Sequence, residues 1–341
     1  MIKRIFALML SILLVGVCFV SCGADKESDQ KEQNNDVVSA YTPDQEILDT
    51  VVMKLGDIEI TYETYRFYYM SCRSSYESQA ISRTVKELQD EVLLELIYQA
   101  AVQTLANEYG AGLTVAQKQS VDTYYLDQLA AAKEYNMDFL NALALKYMTP
   151  KVYKDVYAFE YYAVENVFNY CKNTENNAID FSKEAVDAML SEFDCAKMVF
   201  VAYGSESRTE DAAQKKVEGV LEKLAAGEDF VSISTQYSDL AEGDSAKDGF
   251  YFRKGELDEN VEKAYYELAE GEYTTTAIKT SNGYYIIYRA AEDFEYFEKE
   301  LYPSYAFNEM LNACEESLKV VYTDFYNEMF DGKDLIPEKA G

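Results

Sequence analysis

The apolar spacing near the end of the chain constrains the fold most. In "YAFNEMLNACEESLKVVYTDFYNEMF", residues 305–330, Phe307, Leu311, Cys314, Leu318, Val321, Phe325 and Met329 recur at steps of three and four. That period predicts one long amphipathic helix, whose apolar stripe demands a partner surface. The natural partner lies far upstream. In "VKELQDEVLLELIYQAAVQTLANEYG", residues 85–110, Val85, Leu88, Val92 and Leu96 mark one stripe. Leu93, Ile97, Ala101 and Leu105 mark a second beside it, and Gly110 is the stop signal. "LTVAQKQSVDTYYLDQLAAAKEY" and "TPKVYKDVYAFEYYAVENVFNYC" continue the helical habit, with Thr149-Pro150 fitting a helix start. Ahead of them, "VVMKLGDIEI" (51–60) reads as strand, turn and strand, with Gly56-Asp57 at the turn.

The pattern changes at Cys195. "CAKMVFVAY" reads as a strand. "DAAQKKVEGVLEKLAAGEDF" reads as a helix with Val217, Val220, Leu221 and Leu224 on one side and Gly227 at its end. "VSISTQYSD" is a second short helix, "DGFYFRKGEL" loop and turn, and "NVEKAYYELAEGE" a third helix closed by Gly271. "YTTTAIKT" and "GYYIIYRAAE" close the run as strands. The expected fold class is α+β: an α-helical body formed by the N- and C-terminal segments, 51–193 and 293–335, with an α+β domain inserted at 194–292.

The first residues read as an address. Lys3 and Arg4 precede an apolar run, Ile5 to Val20, that is too short for a comfortable membrane span. It ends in "FVSC" (19–22), which resembles a bacterial lipobox. Residues 1–21 are therefore expected to be a lipoprotein signal peptide, and Cys22 the lipidated residue. Residues 22–50 follow as a polar tether beginning "GADKESDQKEQNND" after the cysteine. About 25 such residues have an r.m.s. reach of about 25–30 Å. Four cysteines remain beyond the anchor: Cys72, Cys171, Cys195 and Cys314. The compartment permits disulfides, and the spacing leaves their pairing open.

Two compositional facts remove whole classes of function. The chain contains no histidine, which excludes Ser-His-Asp triads, Cys-His pairs and His-ligated zinc or haem. Its formal charge is -30, which repels nucleic acid. Asp239, Asp244 and Asp248 lack EF-hand spacing. No metal and no cofactor is expected.

Residues 195–290 resemble the PrsA/SurA-type extracellular foldases, which carry a parvulin-type (PpiC-like) peptidyl-prolyl isomerase domain between helical segments. The resemblance rests on "AKMVFV" (196–201), "LAAGEDFVSISTQYSD" (224–239), "KDGFYFRKGEL" (247–257) and "LAEGEYTTTAIKTSNGYYIIYR" (268–289), with a weaker match at "MKLGDIEITYETYRFYY" (53–69). It implies that the family's two facing histidines fall on Met198 and Tyr285. The family's Cys or Asp falls on or beside Leu240, next to Asp239. The apolar proline pocket falls on Gly249, Leu257 and Val261, with Phe252 available to refill it, and Thr280 is retained. Rotation about an X–Pro bond must cross a barrier of about 18–20 kcal/mol, and such a site works by binding the twisted amide best.

The resemblance thus implies a membrane-anchored extracytoplasmic foldase on the outer face of a Gram-positive cell, with a degenerate isomerase domain. It would bind unfolded or proline-containing segments of secreted proteins, and its partners would be those unfolded clients and the membrane, with a homodimer left open. Two alternatives stand beside this reading: an active isomerase using Tyr285 and a rebuilt pocket, and a non-chaperone surface lipoprotein.

Overall fold

The computed structural model describes residues 43–204, 208–240 and 247–330. The signal peptide, Cys22, most of the tether and Asp244 lie outside the described residues. The strands in chain order are β1 Val51–Leu55, β2 Ile58–Thr61, β3 Asp194–Ala202, β4 Phe250–Phe252, β5 Ile278–Lys279, β6 Gly283–Ala290 and β7 Val320–Tyr322. They form two antiparallel sheets, ordered β2-β1-β7 and β4-β3-β6-β5. The protein is of the α+β class. It has a helical body built from both ends of the chain and an inserted α+β domain. One compact unit takes the chain up to Ala178 and from Phe307 on; the other spans Ile179–Ala306.

The first unit holds α1 Tyr62–Ser78, α2 Val85–Tyr109, α3 Val115–Glu134, α4 Phe139–Leu145, α5 Pro150–Ala158 and α6 Val164–Cys171. Local chemistry explains where they start. Thr84 and Glu87 form a reciprocal capping box on α2, and Thr114 and Gln117 do the same on α3. Thr149 caps α5 with Pro150 at its first position. Between α5 and α6, Phe159–Ala163 winds as a π-helical turn. Leu88, Val92 and Leu96 of α2 are buried, as the apolar stripe requires. Val85 is not: it is 51% exposed in the first helical turn, which runs ahead of the packed face.

The long C-terminal helix expected over 305–330 is interrupted. Helix α11, Tyr302–Ser317, stops, β7 follows, and a short α12 occupies Asp324–Glu328. Val320, Val321 and Tyr322 are β-formers, and β1 offers them a free edge in the register Met53↔Tyr322, Lys54↔Val321 and Leu55↔Val320. Backbone bonds from Gly56 N to Lys319 O (3.0 Å) and from Thr323 N to Val52 O (3.0 Å) close both ends of this pairing. Val321 is accordingly 44% exposed rather than part of a buried stripe. Beyond the strand, Phe325 and Phe330 stand edge-on to Tyr62 and Tyr69, with ring centroids 5.7 and 5.4 Å apart.

The second unit holds α7 Lys183–Leu190, α8 Glu210–Ala225, α9 Phe230–Tyr237 and α10 Glu259–Glu267 around the four-stranded sheet. "DGFYFRKGEL", expected to be loop, contributes β4. Phe250, Tyr251 and Phe252 pair with Ala196, Cys195 and Asp194. "YTTTAIKT" is strand only at Ile278–Lys279, with a single further bridge from Tyr273 to Tyr288. All four described cysteines are free thiols.

Candidate functional site

The candidate site lies on one face of β3 and β6. Side chains alternate along a strand, so Val199 and Val201 of β3 turn with Tyr284 and Ile286 of β6 toward α8 and α9. Ala196, Met198, Tyr285 and Ile287 turn the other way. There they meet Phe252 and the α10 residues Val261 and Tyr265, with Leu257 and Ile278 at the margin. The structure thus brings Met198, Phe252, Leu257, Val261 and Tyr285 into one cluster.

Met198 and Tyr285 do not face each other directly. Met198 is opposite Ile287, and Phe200 is opposite Tyr285. The Phe200 and Tyr285 rings lie 4.5 Å apart, centroid to centroid, and Ile278 of β5 flanks Tyr285 from the other side. The floor is therefore apolar, with one phenol in it. Burial, and secondarily Asp258, raises the Tyr285 pKa above its ordinary value, so the phenol is a neutral donor at neutral pH. Val261 (2% exposed) and Phe252 (0%) are closed into the cluster, with the Phe252 ring edge-on to Tyr265 at 5.0 Å. Phe252 is thus a core residue of this domain, not an exposed pocket wall.

The remaining candidates sit elsewhere. Gly249 does not line the cluster. Its φ is +91°, and a Cβ built on it would lie 2.3 Å from Cys195 Sγ. Cys195 alternates with Ala196 and so points off the Met198 face. A larger side chain is absent at Gly249 because the start of β3 fills the space. The Thr280 hydroxyl donates to Gly283 O (2.9 Å) and Asn282 Oδ1 (2.8 Å), closing the turn between β5 and β6. Leu240 is 39% exposed. Its neighbour Asp239 clamps the end of β3. The Asp239 N–H donates to Phe200 O (2.7 Å), and its carboxylate accepts from Ala202 N (2.9 Å), Lys216 Nζ (2.9 Å) and Arg208. Burial alone would raise the Asp239 pKa, but Arg208, Lys216 and the Ala202 N–H together hold it below the usual carboxylate range.

Phe200, Ile287 and Tyr265 join this face without being positions that the family resemblance singles out. Alternation along "KMVFV" puts Phe200 on the face of Met198, and the step of four from Val261 puts Tyr265 on the same side of α10.

Residues 198–291, which carry this face, match the family "Rotamase: PPIC-type PPIASE domain". Over a longer stretch the chain is similar to PrsA-type foldases. It is 24% identical over 287 residues to the foldase protein PrsA of Caldanaerobacter subterraneus, spanning 84% of this chain and 82% of that one. It is 33% identical over 130 residues to foldase protein PrsA of Bacillus subtilis, a match covering 36% of this chain and 44% of the relative's length. The crystal structure of PrsA from Bacillus subtilis aligns with a TM-score of 0.30 at 19% identity, covering 83% of this chain and 99% of that chain.

Proposed function

We propose that the protein is a lipid-anchored extracytoplasmic foldase or holdase. It binds unfolded, proline-containing segments of secreted proteins and isomerises them slowly or not at all. The observation that carries the second half is the tilted Phe200–Tyr285 ring contact at 4.5 Å on a floor otherwise made of Met198, Ile287 and Val261. Twisted-amide stabilisation needs polar groups aimed at the reacting bond. Here one phenol takes the place of a histidine pair. A loss of about 2–3 kcal/mol of transition-state binding lowers the rate roughly thirty- to 150-fold.

A protease-independent proline-peptide assay on the intact chain tests this. Turnover is expected at least about thirtyfold below that of an active parvulin, and Met198→His with Tyr285→His and Val261→Phe is expected to raise it. Parvulin-like turnover of the unaltered chain, abolished by Tyr285→Phe, would establish the active-isomerase reading instead. Suppression of client aggregation by the unaltered chain separates a foldase from a surface lipoprotein without chaperone activity.

The anchor is read from the apolar run ending at "VSC" and the polar stretch behind it. Cys22→Ala is expected to move the protein out of the membrane fraction or to leave an uncleaved precursor. Normal processing with full membrane retention would refute the anchor.

A further inference from the structure

A row of tyrosines runs from the core of the first unit to its surface. Tyr153 of α5 is fully buried. Its ring lies parallel to that of Tyr124 on α3, with centroids 6.1 Å apart. Tyr124 stacks in turn on Tyr157 of α5, at 4.0 Å and 10°. Tyr157 meets Tyr161 of the π-helical turn at 4.4 Å and Tyr162 edge-on at 6.2 Å. The row ends in solvent, with Tyr161 53% exposed.

The π-helical turn Phe159–Ala163 builds that outer end. In a regular α-helix, neighbours on one face are three or four residues apart, so Tyr157 would meet Tyr161 without Tyr162. The wider turn brings Tyr162 against Tyr157 as well. Such turns are rare, and they recur at functional sites. Phe159, in the same turn, packs edge-on against Tyr98 of α2 at 5.7 Å and anchors it.

The charge around this platform is negative. The helices α3, α5 and α6 and the π-helical turn carry Asp122, Asp127, Glu134, Asp155, Glu160 and Glu165 against Lys118, Lys133, Lys151 and Lys154. Two of these lysines are already engaged. Lys154 pairs with Asp122 at 3.1 Å, and Lys151 sits 3.0 Å from both Glu63 and Asp155. The formal charge of -30 on the whole chain adds a long-range attraction for cations.

A tyrosine ring attracts a cation placed over its face, and the first unit uses this repeatedly. The Arg66 guanidinium lies 4.9 Å from the Tyr147 centroid, that of Arg83 4.6 Å from Tyr76, and Lys154 Nζ 5.8 Å from Tyr125. Among the described residues, none of the cation–ring contacts involves Tyr161.

We propose that Tyr157, Tyr161 and Tyr162 form a docking site for basic stretches of unfolded chains, with an arginine or lysine side chain seated on the exposed Tyr161 ring and the surrounding carboxylates attracting its neighbours. The proposal rests on the foldase or holdase reading. It adds the charge of the segments selected and a place for them in the helical body, apart from the β3–β6 face. A neutral segment would keep the ring contact without the charge, and an acidic one would be repelled.

Fluorescence anisotropy of labelled, proline-free peptides with the full chain tests the site. Leaving out proline sets aside the prolyl recognition proposed for the second unit. An arginine-bearing peptide is expected to bind more tightly than the same peptide with glutamine at those positions, and added salt is expected to weaken it. Tyr161→Ser is expected to lower the affinity roughly two- to thirtyfold, whereas Tyr161→Phe, which keeps the ring, retains most of it. Unchanged affinity in Tyr161→Ser, or equal binding of the glutamine peptide, would overturn the proposal. Aggregation assays with a basic client keep the two readings apart. If the unaltered chain and Tyr161→Ser suppress aggregation equally, the docking site is refuted and the foldase reading stands. If arginine peptides bind through Tyr161 while aggregation is not suppressed, the docking site stands and the foldase reading falls.

Discussion

Ending the chain at Leu318 is expected to leave the first unit without a cooperative unfolding transition. The truncation removes β7, and with it the third strand of the sheet ordered β2-β1-β7. It also removes the aromatic and sulfur side chains that cover α1. The Tyr326 ring is edge-on to Tyr65 at 5.3 Å, with the two hydroxyls 3.2 Å apart. Met329 is 2% exposed, and Phe325 and Phe330 pack on the same core. Full burial of one such side chain contributes roughly 1.5–3 kcal/mol. With Met329 near full value and the partly buried rings at less, the loss is on the order of 5 kcal/mol. That is comparable with the whole stability of an ordinary domain, about 5–15 kcal/mol. Loss of near-UV dichroism and gain of dye binding, with helical far-UV signal retained, is the expected signature. A truncated chain with unchanged protection over α1 and α2 would show that β7 and α12 are dispensable.

Gly249→Ala is expected to destabilise the second unit by about 2–6 kcal/mol. Two causes add. The backbone at φ +91° is one that L side chains rarely adopt, which costs about 1–3 kcal/mol. The new methyl would also meet Cys195 Sγ at 2.3 Å inside a filled core, and overpacking costs about 1–3 kcal/mol. The two are separable. Cys195→Ala in the same chain removes the sulfur and should recover the steric part, leaving the backbone part. Denaturant midpoints for the two single variants and the double variant give the coupling. If Cys195→Ala recovers nothing, the close approach of Gly249 to β3 is not what the glycine serves.

That glycine marks where the sequence could not be read. As a position in a resemblance, Gly249 implies part of the apolar proline pocket. Only the fold shows that the space beside it belongs to Cys195. The α+β class was legible because the apolar spacing changes from steps of three and four to alternation at "CAKMVFVAY", and each pattern suits one backbone geometry. The short strands were hidden for a physical reason. Three residues are too few to establish an alternation, and Val321 continues the helical spacing of Phe307 and Leu311 by coincidence. What makes β4 and β7 strands is the partner edge: Asp194–Ala196 for one, Met53–Leu55 for the other. Both partners are far away in sequence. Within the candidate site, the shared face of Met198 and Tyr285 follows from strand geometry. The placing of Phe200 directly opposite Tyr285 follows from the cross-strand register, which the sequence of either strand alone leaves unspecified.

The pairing of β1 with β7 also bears on the order in which the protein is made. Met53 and Tyr322 are partners in one ladder, so the first unit cannot be completed until residues some 270 positions downstream of β1 are available. Contacts of such wide sequence separation slow folding, because a long loop must close before any of them forms. The intervening unit, Ile179–Ala306, is drawn from one continuous stretch. Once folded, it shortens the flexible length that must be closed. A chain built this way has a late-maturing helical body, with the edge of β1 and the apolar surface of α1 uncovered until β7 and α12 arrive. Until then it presents the same kind of uncovered apolar surface as the unfolded segments it is proposed to bind.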